Sequence, residues 1–409
     1  MSAGILTGNA LIGQSGGPTS VINQSLVGAV REASRHSEIT GFYGALHGVQ
    51  GVLKEELIDL QAESQDTLEQ VARTPSAALG SVRKKPTPQE CREIFSVFKA
   101  HEIRYFFYIG GNDSAETADL LSRLSLEAGF ELRVCHIPKT IDNDLLETDH
   151  CPGFGSAARF VALALMGDDL DNRSLTGVKI DVIMGRNAGF LTAAATLGRR
   201  RTDDGPHLVY VPEVPFSLDK FCRDIDTTMR KRGRCVIAVA EGIVDAKGES
   251  IYKSGEVDSH GNVQLSGSGA LGDFLATIVK KQLGISRVRS DTFGYLQRCF
   301  PGVVSPVDAE EARRVGVAAV RAVTEEGHQG GSVSLQRAET SGAYECRTRI
   351  VPLEKVAKKT RRLDDAFLDP SGADVTVEFL EYARPLAGDL PEIGRLAAQR
   401  IMKRTGGRR

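Results

Sequence analysis

The densest chemistry in this chain lies in "PKTIDNDL", Pro138 to Leu145, where Lys139, Asp142 and Asp144 follow an apolar run. A cation and two carboxylates this close can hold a phosphate and present a carboxylate to a hydroxyl, with Thr140 adding a hydroxyl of its own. A solvated acidic turn is the alternative reading of the same residues. "YFFYIGGNDSAET", Tyr105 to Thr117, reads as a strand, two glycines and then a helix. Such a turn usually serves phosphate and a divalent metal, which makes the amide of Asn112 beside Asp113 unusual. "GQSGGPTSVIN" is a glycine loop feeding a helix N-terminus, where free amides and the helix dipole favour an anion. Gly16 and Gly17 let the backbone approach a phosphate without a Cβ in the way. A tight structural turn is an equal reading of that loop, which is neither a Walker A loop nor GxGxxG.

Further basic and acidic residues sit after other apolar runs. Arg186 in "MGRNAGFL" suits a phosphate or a sugar hydroxyl, and Arg83 in "GSVRKKP" is a second such candidate. For both, an ordinary surface ion pair or basic turn is the competing reading. Glu241 closes the apolar run "VIAVAEGI" and must face a cleft or a partner, because a lone buried carboxylate is costly. Tyr295 and Arg298 stand three apart in "GYLQR" and can share a helix face, active or merely exposed.

The elements that must position these groups follow one plan: apolar strand, polar or glycine turn, amphipathic helix. The plan recurs in "NALIGQSGGPTSVINQSLVGAVREA", in "YFFYIGGNDS", in "LRVCHIPKTIDND" and in "DVIMGRNAGFLTAAATLG". "PTPQECREIFSVFKAHEI" adds a helix with Pro88 in its first turn. This alternation predicts an α/β fold of mostly parallel sheets with helices on both faces, and ligands at the carboxyl ends of the strands. Residues 245–270, rich in Gly, Ser and Asp, read as an exposed excursion, and the end "KRTGGRR" as disordered. Beyond about 350 the chain turns charged and helical.

At 409 residues the chain exceeds one core, so two domains or one body with lobes is expected. A net charge of -2 argues against nucleic acid as the main partner. Seven scattered cysteines without CxxC spacing argue against a disulfide framework or structural zinc, and make a reducing cytoplasm the expected setting. Apolar runs are too short to span a bilayer, and the first residues lack the basic stretch of a signal peptide.

Taken in order, "SGGPTSVIN", "GGNDS", "PKTIDND", "TDHCPGFGSAARF", "MGRNAGFL", "VAEGI", "GYLQR" and "SPVDAEEARRVG" resemble the phosphofructokinase family, and its pyrophosphate-dependent branch in particular. The likeness covers roughly residues 10–320. It implies two Rossmann-like, three-layer α/β/α domains and phosphorylation of the 1-hydroxyl of fructose 6-phosphate. A donor domain over 1–150 would be rejoined by about 296–350, with a sugar-phosphate domain over 151–295. A mainly helical extension over 351–409 would pack on the core, cover an effector region or lie between subunits.

The resemblance also assigns roles. Asp142 is the expected base, with Lys139, Thr140 and Arg83 beside it. Gly17, Asn112, Asp113, Ser114 and Lys139 would meet the donor, and Asp113, Asn112 and Asp144 would hold Mg²⁺. Thr140, Asp142, Asp144, Met184, Gly185, Arg186, Glu241, Tyr295 and Arg298 would bind the sugar phosphate. Arg289 would reach the site of a neighbouring subunit, which implies a homodimer or homotetramer. ATP-using relatives carry glycine at the positions of Lys139 and Asp113, so both residues point to pyrophosphate. An ATP-dependent enzyme, a sedoheptulose 7-phosphate kinase and a catalytically silent sugar-phosphate-binding subunit are the alternatives. Asn112 replaces a customary aspartate, and Tyr295 replaces a histidine of ATP users, a change shared with pyrophosphate users.

Overall fold

The computed structural model describes residues 6–252, 269–338, 344–357, 360–399 and 401. Eleven strands among them form two sheets. The larger takes β1 (Gly8–Gln14), β2 (Ile39–Ala45), β3 (Leu57–Asp59), β4 (Ile103–Gly110), β5 (Arg133–Pro138), β10 (Gly330–Arg337) and β11 (Cys346–Val351). Their order is β11-β10-β5-β4-β1-β2-β3. The smaller takes β6 (Val178–Ile183), β7 (Leu208–Tyr210), β8 (Cys235–Ala240) and β9 (Val288–Thr292), in the order β7-β8-β6-β9. Only the two edge strands of the larger sheet, β3 and β11, pair antiparallel. Every pair in the smaller sheet is parallel.

Burial explains the choice of residues. All but Arg104 of β4 is fully buried, and its aromatic run is covered on both faces, as a central parallel strand requires. Phe107 stacks on Phe42 of β2 at 5.9 Å on one side, while Phe106 meets Phe98 of the helix Pro88–Ala100 on the other. That helix starts at Thr87 with a capping box to Glu90 and carries Pro88 in its first turn, as its sequence predicts. The helix Ile22–Ala33 that follows β1 lies backbone to backbone against the helix Pro306–Thr324. A Cβ on Gly28 would fall 2.3 Å from Arg313 O, and one on Gly316 2.1 Å from Ser25 O.

Of the expected excursion over 245–270, residues 253–268 lie outside the described residues, as does the tail 402–409. Residues 244–250 form a tight turn closed by a Val244–Ser250 bridge. Beyond β11 the regular elements are short helices, Leu353–Val356, Asp365–Phe367 and Val377–Ala387. The last packs on the helix Phe154–Ser174 through Phe379, Tyr382, Ala383 and Leu386.

Candidate active site

Six strands end at one cavity of about 620 Å³. β1 delivers Ser15, Gly16 and Gly17; β4 delivers Gly111 and Asn112; β5 delivers Lys139, Thr140, Ile141, Asp142 and Asp144. From the smaller sheet β6 delivers Met184 and Arg186, β8 delivers Glu241, and the turn after β9 delivers Tyr295 and Arg298. The turns of the smaller sheet touch one another: a Cβ on Gly242 would fall 2.0 Å from Arg186 O. Gln297 ties two of them together, accepting from Met184 N at 3.3 Å and donating to Gly294 O at 2.8 Å.

The anion end is built from glycine backbone and cations, of which Lys139 is buried, Arg298 half-buried and Arg83 exposed. Gly16 has φ +77°, a left-handed conformation that glycine adopts without strain. Lys139 is 3% exposed and donates its Nζ to Gly17 O at 2.6 Å. A Cβ on residue 17 would lie 3.2 Å from the Arg298 guanidinium carbon, so glycine lets Arg298 pack closely on the loop. The guanidinium in turn lies over the Tyr295 ring, 4.6 Å from its centroid. Burial, reinforced by the Arg298 and Arg83 charges, brings the Lys139 ammonium down to about 7. Lys139, Arg298 and Arg83 converge here, an arrangement suited to a multiply charged anion.

The carboxylate end is a short hydrogen-bonded chain. Thr140 Oγ1 donates to Asp144 Oδ1 at 3.3 Å and accepts from the Asp142 amide at 3.1 Å. Asn112 Nδ2 donates to the other oxygen, Asp144 Oδ2, at 3.2 Å. Burial raises Asp142 above the usual carboxylate range, although Arg298, Lys139, Arg186 and Arg83 all pull it down. Burial and the neighbouring Asp142 charge raise Asp144 to about 7. Beneath the loop, His136 is fully buried between Gly110 O at 2.9 Å and Ser332 Oγ at 2.8 Å. Burial lowers it to about 4, so the ring is neutral, with Nε2–H donating to the Gly110 carbonyl and Nδ1 accepting from Ser332. That bond fixes the end of β4 from which Asn112 departs.

The structure gathers most of the sequence candidates. Arg83, Asp113 and Ser114 line the same cavity. Asp113 is exposed in the first turn of the helix Asn112–Glu127, and Ser114 is buried under it. Gly185 lies between two lining residues without lining the cavity, and its φ of +144° turns the chain so that Met184 and Arg186 both face it. Arg289 stands apart, exposed on β9, with its Nη1 donating to Val288 O at 3.0 Å. Sequence reading missed Ser15, Lys84, Lys85 and Asn187 on the wall. Lys84 pairs with Glu90 at 2.5 Å and Lys85 with Glu116, so both cations are held at the mouth. The run "RKK" carried that signal, next to the one arginine that was singled out.

Comparison with known proteins identifies the family. The family described as Phosphofructokinase matches residues 9–323. A pyrophosphate–fructose 6-phosphate 1-phosphotransferase of Rhodospirillum rubrum is 53% identical, over 97% of this chain and 98% of its own. The solved structure of a pyrophosphate-dependent phosphofructokinase from Marinobacter aquaeolei superposes with a TM-score of 0.84 at 33% identity, covering 97% of this chain and 98% of that one. A second, from Nitrosospira multiformis, gives a TM-score of 0.82 at 33% identity, covering 94% of each. The cavity, the two sheets that make it and these likenesses together place the chain in the phosphofructokinase family.

Proposed function

We infer that the protein transfers a phosphoryl group from pyrophosphate to the 1-hydroxyl of fructose 6-phosphate, giving fructose 1,6-bisphosphate and phosphate. The observation that carries the donor is Lys139, a buried ammonium packed on the Gly16–Gly17 loop. With Asp113 at the start of the next helix, it puts a cation where the outer phosphate of pyrophosphate would lie and an anion where a nucleotide would extend.

In this reading Asp142 accepts the proton of the attacking hydroxyl as the new O–P bond forms and the bridging P–O bond breaks. Thr140 holds that carboxylate's backbone and Asp144 in register. Arg83, Lys139 and Gly17 take the donor, and their cations spread the charge that builds on the transferred group. Met184, Arg186 and Glu241 hold the sugar, Tyr295 and Arg298 its 6-phosphate. Asn112, Asp113 and Asp144 offer a metal oxygen donors alone, the set Mg²⁺ prefers. Asn112 Oδ1 fits such a role, being buried without a hydrogen-bond partner among the described residues. Mg²⁺ bound there would neutralise phosphate charge.

The exposed Arg289 supports an assembly of two or four copies in which it completes a neighbour's sugar-phosphate site. No helix among the described residues is long and apolar enough to cross a membrane. Seven unpaired cysteines, six of them buried, support a reducing, cytoplasmic setting.

A matrix of donors (pyrophosphate, ATP) against acceptors (fructose 6-phosphate, sedoheptulose 7-phosphate) at fixed Mg²⁺ tests the reading. Turnover with pyrophosphate and fructose 6-phosphate is expected; turnover with ATP and not pyrophosphate sinks it. Replacing both Lys139 and Asp113 by glycine should collapse pyrophosphate use, and full retention would overturn the argument from those two residues.

A further inference from the structure

The residues beyond β11 reach the phosphoryl-transfer loop from the side opposite the cavity. Asp142 and Asp144 line the cavity, whereas Asn143 between them is fully buried and holds φ +59°. Asparagine enters the left-handed region more readily than other residues with a Cβ, and is fixed there where the surroundings over-determine it. Here they do. Asn143 Nδ2 donates to the Tyr382 hydroxyl at 2.7 Å, and Asn143 Oδ1 accepts from Cys151 N at 2.9 Å. The same hydroxyl donates to Asp149 O at 2.8 Å. A single oxygen therefore ties the turn of the loop to its returning arm.

Arg361 adds a second tie from the extension, its backbone N–H donating to Asp144 O at 2.7 Å and its Nη1 to Thr148 O at 3.1 Å. The Tyr382 ring does not depend on the loop for its place. It packs among Phe154, Phe190 and Phe367, with centroids 6.5, 6.2 and 5.2 Å away, and the Arg337 guanidinium covers it at 4.8 Å. An aromatic ring locked in the core thus presents one hydroxyl to the backbone of the reacting loop.

We propose that Tyr382 is a positioning residue for phosphoryl transfer, acting through Asn143 to hold Asp142 and Asp144 at the cavity. The proposal rests on the reading above that Asp142 takes the hydroxyl proton. It makes the extension after β11 part of the catalytic apparatus and not merely a cover over the core. A carboxylate displaced by about 1 Å from its working position costs on the order of a hundredfold in rate, while substrate contacts made elsewhere in the cavity are untouched.

Tyr382→Phe keeps the ring and its packing and removes the one oxygen. Initial rates with pyrophosphate, fructose 6-phosphate and Mg²⁺ should show kcat reduced at least fivefold, with both KM values within threefold of wild type and the melting temperature of the full chain nearly unchanged. Asn143→Gly keeps the left-handed turn and removes the side chain, so it should show the same split. The double variant should be no slower than Asn143→Gly alone, because the two residues act as one unit. A kcat within fivefold of wild type in Tyr382→Phe overturns the proposal, as does a double variant whose losses multiply. Should Asn143→Gly fail to fold, the kcat and KM split of Tyr382→Phe decides alone. If wild type uses another donor, the functional reading fails, and the same comparison is run with that donor.

Discussion

Lys139→Met removes the ammonium while keeping an unbranched side chain of nearly the same length. The donor site then loses its most enclosed cation, 3% exposed and bonded to Gly17 O at 2.6 Å. A buried group aimed at charge that develops in the transition state contributes about 3 kcal/mol. That is on the order of a hundredfold in kcat/KM for pyrophosphate. Because Arg298 and Arg83 remain, the loss should fall on donor use and spare KM for fructose 6-phosphate.

The pH profile separates this charge from a packing defect. In the free enzyme burial and the two arginines bring Lys139 to about 7. The protonated amine is the working form, so kcat/KM for pyrophosphate should fall as pH rises through about 7. On the proposed mechanism the ionised form of Asp142 is the base, so the same quantity should rise from the acid side as Asp142, raised by burial, gives up its proton. A bell results, and in Lys139→Met its alkaline limb should vanish, while the acid limb persists and moves to higher pH because Lys139 no longer pulls Asp142 down. Pyrophosphate's own ionisation is common to both proteins and cancels in the ratio of their profiles. Initial rates of fructose 1,6-bisphosphate formation between about pH 5.5 and 9 measure both limbs. A loss smaller than tenfold, or an alkaline limb retained in the variant, refutes the reasoning.

Three further outcomes follow from other contacts. Asn112→Asp replaces the amide that donates to Asp144 Oδ2 with a like charge at the same place. Asp144, already raised to about 7, should rise further, as a carboxyl-resolved NMR titration of the free enzyme would read; an unmoved Asp144 would mean that the amide is merely tolerated. Gly316→Ala drives a methyl to within 2.1 Å of Ser25 O, so the helices Ile22–Ala33 and Pro306–Thr324 must part. Equilibrium unfolding in urea should show a loss of about 3 kcal/mol, and a loss below about 1 would contradict the packing. Burial opposes protonation of His150, but hydrogen bonds to Asp149 at 2.8 Å and Glu311 at 2.6 Å raise it to about 8. The stabilisation, about 2 kcal/mol, is full below the unfolded value near 6.5 and lost as pH rises through about 8. Denaturation of wild type and His150→Gln should differ more at pH 6 than at pH 9, and an equal difference at both would refute the assignment.

The strand ends were legible because each of β1, β4, β5, β6 and β8 is an apolar run stopped by glycine or by a charged residue, and those stops are where the cavity lies. What joins them was not legible. Tyr382 meets Asn143 across 239 residues, and no local pattern marks a tyrosine among Phe379, Leu380 and Leu386 as anything but core. The edge strand β11 reads "CRTRIV", with exposed Arg347 and Arg349 alternating against buried Cys346 and half-buried Thr348 and Ile350. Lys84 and Lys85 were visible as charge but not as cavity wall, because their direction is set by Glu90 and Glu116 on two different helices.

Asn112 shows how the same letters change meaning once directions are known. From sequence, Asn112-Asp113 looks like a metal pair with one ligand weakened. In the fold the two residues face different neighbours: Asn112 turns to Asp144, while Asp113 lies exposed at the start of its helix. A carboxylate at 112 would meet a carboxylate that burial and Asp142 have already raised to about 7, and could donate no hydrogen bond to it. The amide does both things the place requires. Its N–H₂ steadies Asp144, and its Oδ1 stays uncommitted among the described residues, ready for a cation. Negative charge is then kept for the exposed Asp113 on the cavity wall, where the proposed donor choice would have it repel a nucleotide.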